Sequence, residues 1–170
     1  MSTTNTLSRS VRGVDLTATE ANMFTGSNSD GTNIYWQDTQ LTAAQVNDLK
    51  DTNIEVVSAP AAGLAAIPVS VFIFHDHGGT DFVQAAGSDH IAILYNGGSE
   101  IAELGSEAQC TALVEASADA ALHCDISASF VPVAATAIDM DNNGATDYTT
   151  GDGTFSVRVF YRVVPMAAFS

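Results

Sequence analysis

From Leu64 to Phe74 the chain is almost wholly apolar, and Val69, Val71, Phe72, Ile73 and Phe74 load its second half with β-branched and aromatic side chains. Periodicity alone cannot separate a buried strand from a buried helix in such a run. Pro68 decides between them. In a helix interior it would remove a donor and clash with the preceding turn, whereas a strand tolerates it at a bulge or on an edge. The run is therefore predicted to be one long strand, bulged or on an edge at Pro68. Ala59-Pro60-Ala61-Ala62-Gly63 turns into it and Gly78-Gly79 ends it. Phe72 and Phe74 share a face of that strand because side chains alternate, and that face is expected in the core.

The remaining pattern is mostly strands and turns. Ile34-Tyr35-Trp36, Ile54 to Ser58, Asp89 to Asn96, Glu100 to Leu104, the apolar stretch Phe130 to Ile138 and the alternating Thr154 to Val164 read as strands, bounded by Gly, Asn, Asp and Pro. Two capping boxes stand out, Thr17-Ala18-Thr19-Glu20 and Thr42-Ala43-Ala44-Gln45. Leu41 and Val46 flank the second where a hydrophobic staple would sit. They predict a short helix at about 42–49 and a turn of helix at 18–23. Residues 106–122, Ala-rich with Leu113, Val114 and Leu122, fit either helix or strand, and the Thr, Ser and Asp interruptions tip the reading slightly to strands. About eight short strands imply an all-β fold, an antiparallel β-sandwich or jelly roll with one or two short helices. Residues 1–14 read as a polar arm and 15–170 as a single domain.

Charge narrows the partners. The chain carries 5 Lys+Arg against 20 Asp+Glu, a net charge of −15, and no Lys or Arg stands between Lys50 and Arg158. Nucleic-acid affinity comes from neutralising phosphates with Lys and Arg, so no nucleic acid is expected as a partner, and no anionic membrane for the same reason. The first residues lack a basic and apolar signal segment, and no run reaches membrane-spanning length, which predicts synthesis in the cytosol. Cys110 and Cys124 are read as two reduced thiols.

Three patterns raise chemistry. His75-Asp76-His77 with Asp81 looks like the His-x-His…acid arrangement of cupins, but the Gly and the second His motif of that family are missing. Asp139, Asp141, Asn143 and Asp147, with Gly144, match the first half of a calcium loop, where oxygen ligands and a sharp turn suit a hard cation. Position 12 is Thr150, so the bidentate carboxylate is missing, no helices flank the stretch, and a plain Asn-Gly hairpin or long surface loop is the favoured reading over calcium. Beyond calcium, no cofactor is expected. Neither a nucleophile elbow nor a phosphate-cradling loop is present, and His123 and Cys124, adjacent on a strand, point to opposite faces. No catalytic residue is assigned.

The segment Leu41 to Asp81, together with Tyr95-Asn96-Gly97-Gly98 and with Asp152 to Pro165, resembles small virion proteins of tailed bacteriophages, including head decoration (cement) proteins. Where such sequences carry a Lys after the Ala-Pro-Gly-Ala-Gly turn, this chain has Leu64, and its turn reads Ala59-Pro60-Ala61-Ala62-Gly63, with Ala in place of the first Gly. The resemblance implies a non-enzymatic, homotrimeric β-sandwich or jelly roll, bound to the major capsid protein on the virion surface and made in the bacterial host cytoplasm. A tail- or fibre-associated adaptor or receptor-binding protein is the alternative it leaves open. A cupin-like metalloenzyme is the alternative outside virions.

Overall fold

A computed structural model describes residues 34–169 except 85–89, 97, 127 and 145. The arm at 1–14 and the helical turn at 18–23 lie outside the described residues. Ten strands are described: β1 (Tyr35–Leu41), β2 (Ile54–Val57), β3 (Leu64–Asp76), β4 (Val83–Gln84), β5 (Ile91–Tyr95), β6 (Ser99–Glu103), β7 (Ala120–Asp125), β8 (Ile138–Asn142), β9 (Tyr148–Thr149) and β10 (Thr154–Pro165). Two short helices, α1 (Ala43–Asn47) and α2 (Glu107–Val114), join them. Sheet 1 has the order β1-β10-β3-β7 and sheet 2 the order β2-β8-β5-β6, with β4-β9 a small ribbon. Every described strand pair is antiparallel. The result is an all-β sandwich.

The core lies between the two sheets. Val71, Ile73, Phe155, Val157 and Val159 of sheet 1 and Ile91, Ile93, Ile138 and Met140 of sheet 2 belong to one buried cluster. Tyr95 ties the layers together by donating its hydroxyl to the Ala66 carbonyl at 2.6 Å. Burial pushes that hydroxyl's pKa up to about 12, so it stays a donor across the physiological range.

The long strand is present, with its bulge beside Pro68. Phe160 pairs with Ser70 and Tyr161 with Pro68, leaving Val69 as the extra residue. Pro68 is tolerated there because β7 pairs with β3 only from Ser70 onward. The bulge also resets which side chains face inward. Ala66 and Pro68 are buried before it, Val71, Ile73 and His75 after it. Phe72 and Phe74 consequently point outward, 40% and 37% exposed, which corrects their assignment to the core.

Helix α1 forms as its capping box dictates. Gln45 N–H donates to Thr42 Oγ1, and Thr42 N–H donates to Gln45 Oε1. Leu41 and Val46 are both fully buried. A second box was not read from the sequence. Ser106 and Gln109 exchange the same pair of bonds and start α2, so residues 107–114 are helical and not strand. Cys110, Leu113 and Val114 give that helix its buried side at i, i+3 and i+4. The stretch Phe130 to Ala137 is likewise irregular, and strand begins only at Ile138.

Candidate functional site

The outer face of sheet 1 is the described surface that invites a partner. Strict alternation in β10 buries Phe155, Val157, Val159 and Tyr161 and turns Ser156, Arg158, Phe160 and Arg162 outward. Register then lines up rows across all four strands. Asp38, Arg158, Phe72 and His123 form one row. Beside it run Gln40, Ser156, Phe74 and Ala121 on one side, and Trp36, Phe160, Ser70 and Asp125 on the other.

Those rows enclose an open groove of about 850 Å³ with Phe72, Phe74 and Phe160 among its walls. Arg158 lines it, held by a two-pronged bond to Asp38, Nε to Oδ1 at 2.6 Å and Nη2 to Oδ2 at 2.7 Å. So exposed a pair adds little to stability, but it fixes the plane of the guanidinium beside Phe72. The His123 ring sits 6.3 Å from that of Phe72, tilted 41°. Aromatic rings and arginine on a rigid surface are the residue types that carry protein–protein affinity.

The histidine motif is used for structure. His75 is fully buried, with its ring 5.1 Å from Phe155 and 5.5 Å from Phe82. Its Nδ1 lies 2.9 Å from the Leu113 carbonyl. A carbonyl only accepts, so Nδ1 carries the proton. His77 lies past the end of β3, and its Nε2 meets Asp81 Oδ1 at 2.8 Å. Each imidazole is committed to a different neighbour, and the two do not converge with Asp81 on one point.

The four calcium candidates have separate partners. Asp139 and Asp141 lie within strand β8, Asn143 donates its side-chain amide to Glu100, and Asp147 accepts from the Lys50 backbone N–H. The loop after β8 is closed by Asn142, which accepts from Gly144 N–H and donates to the Thr146 carbonyl. Among the described residues, acidic oxygens gather instead at Asp48, Asp51 and Asp147, within 4.8 Å of one another.

Asp139 is buried and its Oδ1 has no hydrogen-bond partner. Burial, and then the neighbouring Glu55 charge, push its pKa above the usual aspartate value. Burial raises Asp141 too, against the pull of Lys50 and of a backbone hydrogen bond. A carboxyl whose pKa is raised by folding stabilises the fold fully below its unfolded value, and that contribution is lost as pH rises through the folded value. Asp139→Asn should therefore melt above the wild type at neutral pH. The difference should shrink as pH falls towards about 4, the unfolded aspartate value. Melting curves across that range check it, and a variant less stable than wild type at neutral pH would contradict it.

Both cysteines are free. Burial pushes both thiols up, so neither is held as the thiolate that nucleophilic chemistry requires. No described helix is long and apolar enough to cross a membrane.

The fold and the groove define a class, a two-sheet antiparallel β-sandwich with an aromatic outer face. No family model matches the chain, and no curated protein matches it. Among solved structures it is similar to a chain of the cyanophage Pam1 capsid asymmetric unit, at 19% identity and a TM-score of 0.46, over 82% of this chain and 91% of that one. It is also similar to a chain of the capsid of Ralstonia phage GP4, at 15% identity and a TM-score of 0.43, over 81% of this chain and 88% of that one. Both are distant likenesses of overall architecture.

Proposed function

We propose that the protein is a non-enzymatic structural protein of a tailed-phage virion, a capsid decoration (cement) protein that binds the major capsid protein and stabilises the head. The observation that carries the reading as an assembly protein is the outer face of sheet 1, where Phe72 and Phe74 stand exposed on a rigid sheet and offer a surface to a protein neighbour. Monomeric surfaces seldom present aromatic patches of this kind without a partner. The virion setting comes from the resemblance of Leu41 to Asp81 and Asp152 to Pro165 to small phage virion proteins. On this reading the protein works as a trimer on the capsid surface after synthesis in the host cytoplasm. It needs no cofactor, nucleic acid or membrane.

A cement protein adds contact area across joints between capsid subunits, which internal genome pressure pulls apart. Charge assists such contacts by orienting partners and rejecting wrong ones. Residues 1–14 carry Arg9 and Arg12 and no acid, whereas 15–170 hold all 20 acidic side chains. Arm and body therefore suit opposite patches on a shell.

The test uses phage heads stripped of this protein. Purified protein should co-sediment with them at saturable stoichiometry and raise the temperature at which they release DNA. Heads that neither bind it nor gain heat resistance, alongside tails that do bind it, would move it to the adaptor role.

A further inference from the structure

We infer that the aromatic face of sheet 1 is the seam between copies of this chain, each copy seating that face on a different, acidic surface of the next. The inference rests on the trimeric virion reading and assigns it a surface. Composition supplies the first argument. Residues 34–170 hold 17 Asp and Glu against three basic residues, Lys50, Arg158 and Arg162. Arg158 and Arg162 both lie on the outward side of β10 and are exposed. The face also holds Asp38, which Arg158 neutralises, and Asp76 and Asp125 at its margins. It is therefore almost neutral, and 13 of the 16 acids among the described residues lie elsewhere, with Lys50 as their basic counterpart.

Electrostatics then selects the geometry. Any two acidic surfaces of this chain repel each other, and the repulsion is relieved where an arginine-bearing face meets an acidic one. Arg162 forms no ion pair among the described residues, so its guanidinium is available for a neighbour's carboxylate. A contact between unlike surfaces repeats from copy to copy, and with a threefold rotation between copies it closes into a trimer. The anchors for it are Phe72, Phe74 and Phe160, which rim the groove.

The test is sedimentation velocity on the full chain across a dilution series. Wild type should run as a trimer. Phe72→Asp puts a charge in the middle of the groove, and Arg162→Glu reverses the free cation at an exposed site where folding is not at stake. Each should weaken self-association more than tenfold, the loss expected when an interface anchor is removed, and Phe72→Leu should keep the trimer. A wild type that stays monomeric at every concentration overturns the inference. So do Phe72→Asp and Arg162→Glu proteins that assemble as wild type does. A wild-type trimer broken by both substitutions yet unable to bind heads would count against the virion reading alone.

Discussion

Phe155→Ala should lower the melting temperature by on the order of 10 °C, whereas Phe72→Ala, on the adjacent strand, should leave it nearly unchanged. Phe155 is fully buried and packs against Phe82 and His75, with ring centroids 5.8 Å and 5.1 Å away. Truncating a buried Phe costs about 3–5 kcal/mol, part lost transfer energy and part cavity. In a domain of this size each kcal/mol shifts the midpoint by roughly 2–4 °C. Phe72 already has 40% of its surface in water, so its removal should cost about 1 kcal/mol or less. The comparison must be made at dilution, because self-association through that face would add concentration-dependent stability. Equal losses from the two substitutions would mean that the sheet faces the other way.

Gly151→Ala and Gly153→Ala should each destabilise the fold by about 1–3 kcal/mol, the usual cost of forcing atoms into a packed core. A Cβ on Gly151 would overlap the Phe82 ring. One on Gly153 would stand 2.5 Å from His75 Nε2 and 2.8 Å from the Asp76 carbonyl oxygen. Phe82 and His75 are fully buried, and backbone cannot swing aside as a flexible side-chain tip can. Denaturant midpoints provide the measurement. By contrast Gly79, where a Cβ would come no nearer than 3.9 Å to a side-chain oxygen, should accept alanine with little effect. These glycines explain how β10 can start so close to the end of β3, where Thr154 pairs with Asp76.

Much of the architecture is legible in the residues. Pro68 within an apolar β-branched run announced both a strand and its irregularity, and Thr42 with Gln45 announced α1. The same bulge hid the site. Val69, the unpaired residue, shifts the alternation by one, and a shift of one moves every following side chain to the other face. The strand was readable and its phase was not, so Phe72 and Phe74 were assigned inward. Alternation in Thr154 to Val164 contained the correction, because Arg158 and Arg162 must face water and Phe160 shares their side. Placing that side against Phe72 needs the β10–β3 register, which depends on pairing across 80 or so residues of sequence.

Helix α2 was missed for a local reason. Ser106 and Gln109 form as good a box as Thr42 and Gln45, but Cys110, Thr111 and Val114 are weak helix formers and Ser117 and Asp119 follow closely, which breaks the helical pattern early. Burial of Cys110, Leu113 and Val114 settles the helix from outside. The acidic stretch from Asp139 to Asp147 shows the opposite case. Its spacing matches half of a ligand loop, and the strand pairing of Asp139 with Leu94 and of Asp141 with Ala92 cannot be read from that spacing.

Quantitative mass spectrometry of purified phage heads tests the account most directly, as the molar ratio of this protein to the major capsid protein. A surface protein that seals joints over the whole shell should approach the capsid protein in abundance and remain with heads separated from their tails. Only a handful of molecules per particle, or recovery with the tails alone, would contradict it.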